Sequence, residues 1–214
     1  MKAEVNGRQI ELEPNSRPYL LKRIIADGFD VLLLFALFML LMLLILRTPA
    51  ADAYHEHAGR AQAIEAETAA ALQNDAEAVS AALSENGEYR DELFAANLRS
   101  YVLKAAACLL AELLLFVAVP LLNRSRATPG KLMTGIMPFN VKRQSAATVP
   151  QILYRFLFVL LIDSLPFYLY AGIYTFLLVP ILRLTELLMS RKNRTVCDLI
   201  TGITIIEKLS FDGV

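Results

Sequence analysis

The chain has 214 residues, 56% of them hydrophobic, and a mean hydropathy of +0.47. Only 20% of its residues are charged, against about 25% in average soluble domains, and the charges avoid three long stretches. That excludes a disordered chain and an ordinary soluble enzyme, and 21 basic against 21 acidic residues exclude nucleic-acid binding through bulk charge. What remains is an all-α multi-pass protein of the cell (inner) membrane, with the lipid bilayer as its first partner.

In chain order, residues 1–16 form an N-terminal segment. Within it, Asn6-Gly7 lies between two short alternating runs, the signal of a hairpin. Residues 26–46 make the first apolar run, long enough for the roughly 20 residues that a membrane crossing needs. A cleaved signal peptide is the competing reading. Glu4, Glu11 and Glu13 in the leader and the length of the run weigh against it.

Arg23, Ala26, Asp27 and Asp30 fall at i, i+3, i+4 and i+7, which puts them on one helix face. The spacing predicts that Arg23 reaches Asp27 and that Asp30 continues the stripe one turn deeper. Carboxylates at the edge of an apolar span need partners, so a second element carrying positive charge is expected against this face.

Residues 50–100 are rich in Ala and Glu, both good helix formers. They predict an external helical insert that extends the first and second spans outwards, with a break near Asn86-Gly87. His55 and His57 lie two apart, so a helix points them in different directions, and no metal site is expected. The second span is 101–122, with Lys104 near one end and Glu112 near its middle. A carboxyl there either carries protons or a cation, or is neutral and hydrogen-bonded between helices.

Residues 151–190 are too long for one span, and Asp163-Ser164-Leu165-Pro166 interrupts them. Two helices are expected, 152–164 and 167–190, giving four transmembrane helices or three plus a re-entrant hairpin. Charge placement favours an even count. Residues 1–23 carry five Lys/Arg, 124–155 carry six with no acid, and Arg191, Lys192 and Arg194 follow the last run. Residues 47–100 carry four Arg against ten acids. The positive-inside rule then puts both termini in the cytoplasm. Arg183 and Glu186 are expected to pair locally near the inner end of the last span.

Short β-prone runs at 136–141 and 203–206 each follow a glycine and predict, with the hairpin, a small cytoplasmic β element. Gly130-Lys131 is not a phosphate loop, because the upstream glycine and the following hydroxyl are missing. Lys131, Arg124 and Arg126 are placed to meet an anionic lipid. Cys108 and Cys197 form no disulfide framework. No catalytic triad, cysteine–histidine pair or zinc motif is present, so neither an enzyme nor a cofactor is expected.

Three blocks in this order resemble the RDD family of membrane proteins. Arg23, Ala26 and Asp30 match R-x-x-A-x-x-x-D. Thr128, Gly130, Lys131 and Gly135 match T-x-G-K-x-x-x-G, Arg155 opens the next apolar segment, and Asp198, Gly202 and Thr204 match D-x-x-x-G-x-T. The resemblance implies an RDD-like membrane domain over 17–207, interrupted by the 50–100 insert and followed by a tail at 208–214. The insert is foreign to the family pattern, and Cys197 stands where members often have His.

Some members are assigned as sodium/proton antiporters. The resemblance therefore implies a small cation/proton transporter, with Arg23, Asp27, Asp30, Glu112, Lys131, Arg155 and Asp198 as its polar cluster. Four spans leave little room for a complete transport path, so a homo-oligomer is expected. The alternatives are a purely structural salt-bridge network and a membrane scaffold that binds another protein through the insert.

Overall fold

The computed structural model describes residues 2–5, 8–11, 17–140, 142–143, 145–158, 160–161, 185–189 and 195–207. The Asn6-Gly7 turn, the break at 163–166, the body of the fourth crossing, Arg183 and the basic residues at 191–194 lie outside them. The chain divides into two compact units, Met1–Phe38 with Leu109–Val214, and Met39–Cys108. The second unit is wider than the expected insert.

Helix α1, Arg17–Ile45, starts nine residues before the apolar run. Its buried stripe is Arg23, Ala26, Asp30, Leu34 and Phe38, the heptad-like spacing of one helix face. Its other faces expose Leu32, Phe35, Leu40 and Leu43, an apolar surface suited to lipid rather than water. The second long helix is α4, Gly87–Leu113, continued by a π-helical turn at Leu114–Ala118 and by α5, Val119–Leu122. Pro120 has no N–H to donate into the preceding turn, and a π-turn is a common way to absorb such a defect. Leu20–Ile45 and Gly87–Leu122 are both long and apolar enough to cross a membrane.

In the second unit, α2 spans Asp52–Ala71 and α3 Ala76–Glu85. The break at Asn86 and the helical continuation of the second apolar run by α4 match expectation. The extension of the first span does not. Helix α1 stops at Ile45, and a 3₁₀ turn at Pro49–Ala51 intervenes before α2. Pro49 cannot donate the bond that would carry α1 onward. A further break follows Ala71, where Gln73 and Asn74 have φ of 55° and 61° and the Asp75 side chain caps α3.

The remaining elements belong to the first unit. Strands β1, Lys2–Val5, and β2, Arg8–Glu11, pair antiparallel with Val5 opposite Arg8. After α6, Pro129–Met133, comes β3, Ile136–Asn140, then β4, Ser145–Ala146, α7, Val149–Phe158, α8, Val196–Thr201, and β5, Ile203–Glu207. Strand β3 lies between β4 and β5, antiparallel to both, with Pro138 opposite Ile205. The two β regions thus form separate sheets rather than one. All of β3 is buried, and Ala26, Ile136, Ala147, Ile152, Ile203 and Ile205 make a hydrophobic cluster that ties this sheet to α1 and α7. The β-branched residues suit that doubly covered strand pair.

Candidate functional site

Asp30 faces the N-terminus of α6. Its Oδ1 accepts the Gly130 backbone N–H at 2.7 Å, and its Oδ2 accepts the Thr128 hydroxyl. Thr128 occupies the N-cap position of α6 without capping it by its own side chain. The carboxylate on α1 therefore caps α6 from across the fold, satisfying a donor that the helix cannot satisfy itself. A Cβ on residue 130 would overlap the Ala26 carbonyl oxygen and crowd Asp30 Oδ1. The glycine is there because two backbones touch.

Lys131 Nζ lies 3.3 Å from Asp27 Oδ1, 3.5 Å from Asp30 Oδ2 and 3.2 Å from Thr128 Oγ1. The positive element expected against the α1 face is thus α6. Lys131 is 6% exposed, so its ammonium faces these carboxylates rather than a lipid surface. Arg124 is exposed, while half-buried Arg126 donates to the Leu121 carbonyl.

Asp198 is the second node. It is fully buried, and Arg23 Nη2 meets its Oδ2 at 2.8 Å while Arg155 Nη2 meets its Oδ1 at 3.0 Å. Thr195 and Asp198 also form a capping box at the start of α8. The Thr195 hydroxyl accepts the Asp198 N–H, and Asp198 Oδ2 accepts the Thr195 N–H, both at 3.2 Å. Burial raises the Asp198 pKa, but Arg155, Arg23 and the Thr195 N–H outweigh it and hold the carboxyl well below the usual carboxylate range. The i,i+4 spacing predicts an Arg23–Asp27 pair. The structure gives Arg23 a partner in Asp198 and Asp27 a partner in Lys131. A buried guanidinium gains more from a desolvated carboxylate than from one on a half-exposed turn.

Glu112 is 6% exposed on α4, two residues before the π-turn begins. With Arg23, Asp27, Asp30, Lys131 and Arg155 it lines a cavity of ≈ 110 Å³, volume enough for several waters. Asp198 braces the cavity through Arg23 and Arg155. Gly135 and Gly202 do not touch it. Each takes a φ near +68° to turn its short helix into the following strand, at 68° and 67°. Thr204 is buried in β5 opposite Phe139.

Phe116, Thr195 and Cys197 also line the cavity, and sequence reasoning assigned them no role there. The Thr-x-x-Asp spacing at 195–198 was a legible capping signal. Cys197 is buried, with its thiol 3.6 Å from the Arg155 carbonyl. In the second unit, His57 Nδ1 bonds Glu92 at 2.6 Å, and Arg60 bonds both Glu92 and Glu56. Among the described residues, no group of three or more His, Cys, Asp or Glu could hold a metal.

The family model described as RDD family matches residues 17–202. No curated protein and no solved structure matches the chain.

Proposed function

The chain belongs to the RDD family, a family of membrane proteins, and on that premise we propose that it exchanges a cation for protons through the cavity beside Glu112. One observation carries this reading: a buried carboxyl on a long apolar helix opens into the same small cavity as the Asp27, Asp30 and Lys131 cluster. Intramembrane carboxyls are costly, and their common use is to carry protons or ions. Glu112 is the exchanging group, and the Asp198 node is the fixed frame around it. Four spans with both termini in the cytoplasm follow from the charge placement, and a homo-oligomer supplies the rest of the path. The assay is cation-driven proton movement in proteoliposomes. Flux in the wild type that disappears in a Glu112→Gln, Asp30→Asn double variant supports the reading, and no flux in the wild type overturns it.

A second reading is a scaffold that binds another protein through residues 50–100. It is favoured by the separate compactness of Met39–Cys108. Deleting residues 53–89 tests it: loss of a co-purifying partner with the spans intact supports scaffolding, and unchanged complexes argue against it.

A further inference from the structure

Residues 128–136 read Thr-Pro-Gly-Lys-Leu-Met-Thr-Gly-Ile, and residues 195–203 read Thr-Val-Cys-Asp-Leu-Ile-Thr-Gly-Ile. The two stretches agree at Thr128 and Thr195, Leu132 and Leu199, Thr134 and Thr201, Gly135 and Gly202, and Ile136 and Ile203. Each opens on an N-cap threonine of nearly the same conformation, φ −70° and ψ 162° at Thr128, φ −71° and ψ 160° at Thr195. In each, the later threonine donates back to the carbonyl four residues earlier, Thr134 to Gly130 at 3.0 Å and Thr201 to Cys197 at 2.7 Å. Each ends on a glycine at positive φ and enters a five-residue strand.

The strands then pair with each other, and Pro138 lies opposite Ile205. Those two positions are equivalent under the same alignment. Ile136 faces Glu207 and Asn140 faces Ile203, as a local two-fold axis through the Pro138–Ile205 pair requires. The correspondence reaches the long helices. In both α1 and α7 the second residue is proline and the seventh is arginine, Pro18 and Arg23 in one, Pro150 and Arg155 in the other. Both arginines meet Asp198.

The match breaks at one informative position. Asp198 is the third residue of α8, and its equivalent in α6 is Lys131. In the later segment the third residue closes its own capping box with Thr195. In the earlier one a lysine cannot accept, and the carboxylate comes from Asp30 on α1, which takes the Thr128 hydroxyl and the Gly130 N–H where Asp198 takes the Thr195 N–H, with Lys131 beside it.

We propose that residues 128–140 and 195–207 are two copies of one helix–glycine–strand unit placed back to back about a pseudo-two-fold axis, and that Asp30 is a positioning residue that replaces the capping carboxylate missing from the first copy. Both copies contribute to the cavity lining, among them the equivalent Thr128 and Thr195, and the matching Arg23 and Arg155 of α1 and α7 line it too. The proposal stands whether or not the cavity conducts ions.

The test moves the carboxylate back. Three variants of the full chain are purified in detergent: Asp30→Ala, Asp30→Ala with Lys131→Asp, and Asp30→Ala with Lys131→Ala. Thermal midpoints and amide exchange over 128–135 are compared with the wild type. The proposal expects Asp30→Ala to lower the midpoint and speed that exchange. Lys131→Asp should recover at least half of both losses, and Lys131→Ala clearly less. Equal recovery by the two partners means simple charge relief and overturns it, as does no recovery by Lys131→Asp, or an Asp30→Ala protein that behaves like the wild type. If Asp30→Ala yields no protein, the yields of the two double variants are read in the same way.

Discussion

Asp30 Oδ1 and the Gly130 backbone N–H are joined at 2.7 Å across 100 residues of chain. With the Thr128–Asp30 bond and the Lys131 contacts it ties α6 to α1 along one wall of the cavity. The same contact leaves no room for a side chain at residue 130.

Gly130→Ala is accordingly expected to cost about 3 kcal/mol, at the upper end of ordinary overpacking, because the obstacle is backbone and cannot rotate away. Gly135→Ala and Gly202→Ala meet open space and carry only the left-handed backbone cost, about 1–2 kcal/mol each. Thermal unfolding of the three variants in one detergent should rank Gly130→Ala well below the other two. Similar losses in all three would remove the close-approach account.

Asp198→Asn keeps the shape of the side chain and removes its charge. Arg23, 2% exposed, and Arg155 then share no buried anion on α8. Removing one partner of a buried ion pair costs about 3–5 kcal/mol, so this variant should be among the least stable single substitutions in the first unit. Arg23→Lys should also lose stability, since one ammonium does not reproduce a guanidinium held against a carboxylate. A midpoint for Asp198→Asn within a degree of the wild type would contradict the network.

The lowered pKa of Asp198 gives a pH signature. A depressed carboxylate pKa adds stability that is complete above the unfolded value, about 3.9, and is lost as pH falls below it toward the folded value. The wild type should therefore lose stability below about pH 4 more steeply than Asp198→Asn. Parallel acid limbs for the two proteins would show that Asp198 is not the group responsible.

The charge placement predicts topology. Reporter fusions at residue 60 and residue 214 should read outside and inside, respectively. An external C-terminus would break the four-span reading and leave an odd number of crossings.

Much of the cluster was legible because its spacing is local. Arg23, Asp27 and Asp30 share a helix face by arithmetic, and carboxylates at the edge of an apolar span called for a positive partner, which Lys131 supplies. The strands at 136–140 and 203–207 were legible as short β-prone runs, 136–141 and 203–206, that each follow a glycine. The identity of each ion pair was not, because Asp198 competes with Asp27 for Arg23 only once α8 has been packed 175 residues away. The stop of α1 at Ile45 has its signal in Pro49. The repeat of Thr128–Gly135 in Thr195–Gly202 was present in the letters. The exchange of Lys131 for Asp198 interrupts it at its centre.

The most direct measurement of the central claim is the collapse of an imposed pH gradient by added sodium or potassium in proteoliposomes, with Glu112→Gln and Arg60→Ala, a change in the second unit, compared with the wild type. The account predicts cation-dependent collapse in the wild type and in Arg60→Ala, and its loss in Glu112→Gln at equal incorporation. Undiminished exchange in Glu112→Gln, or none in the wild type, would contradict it.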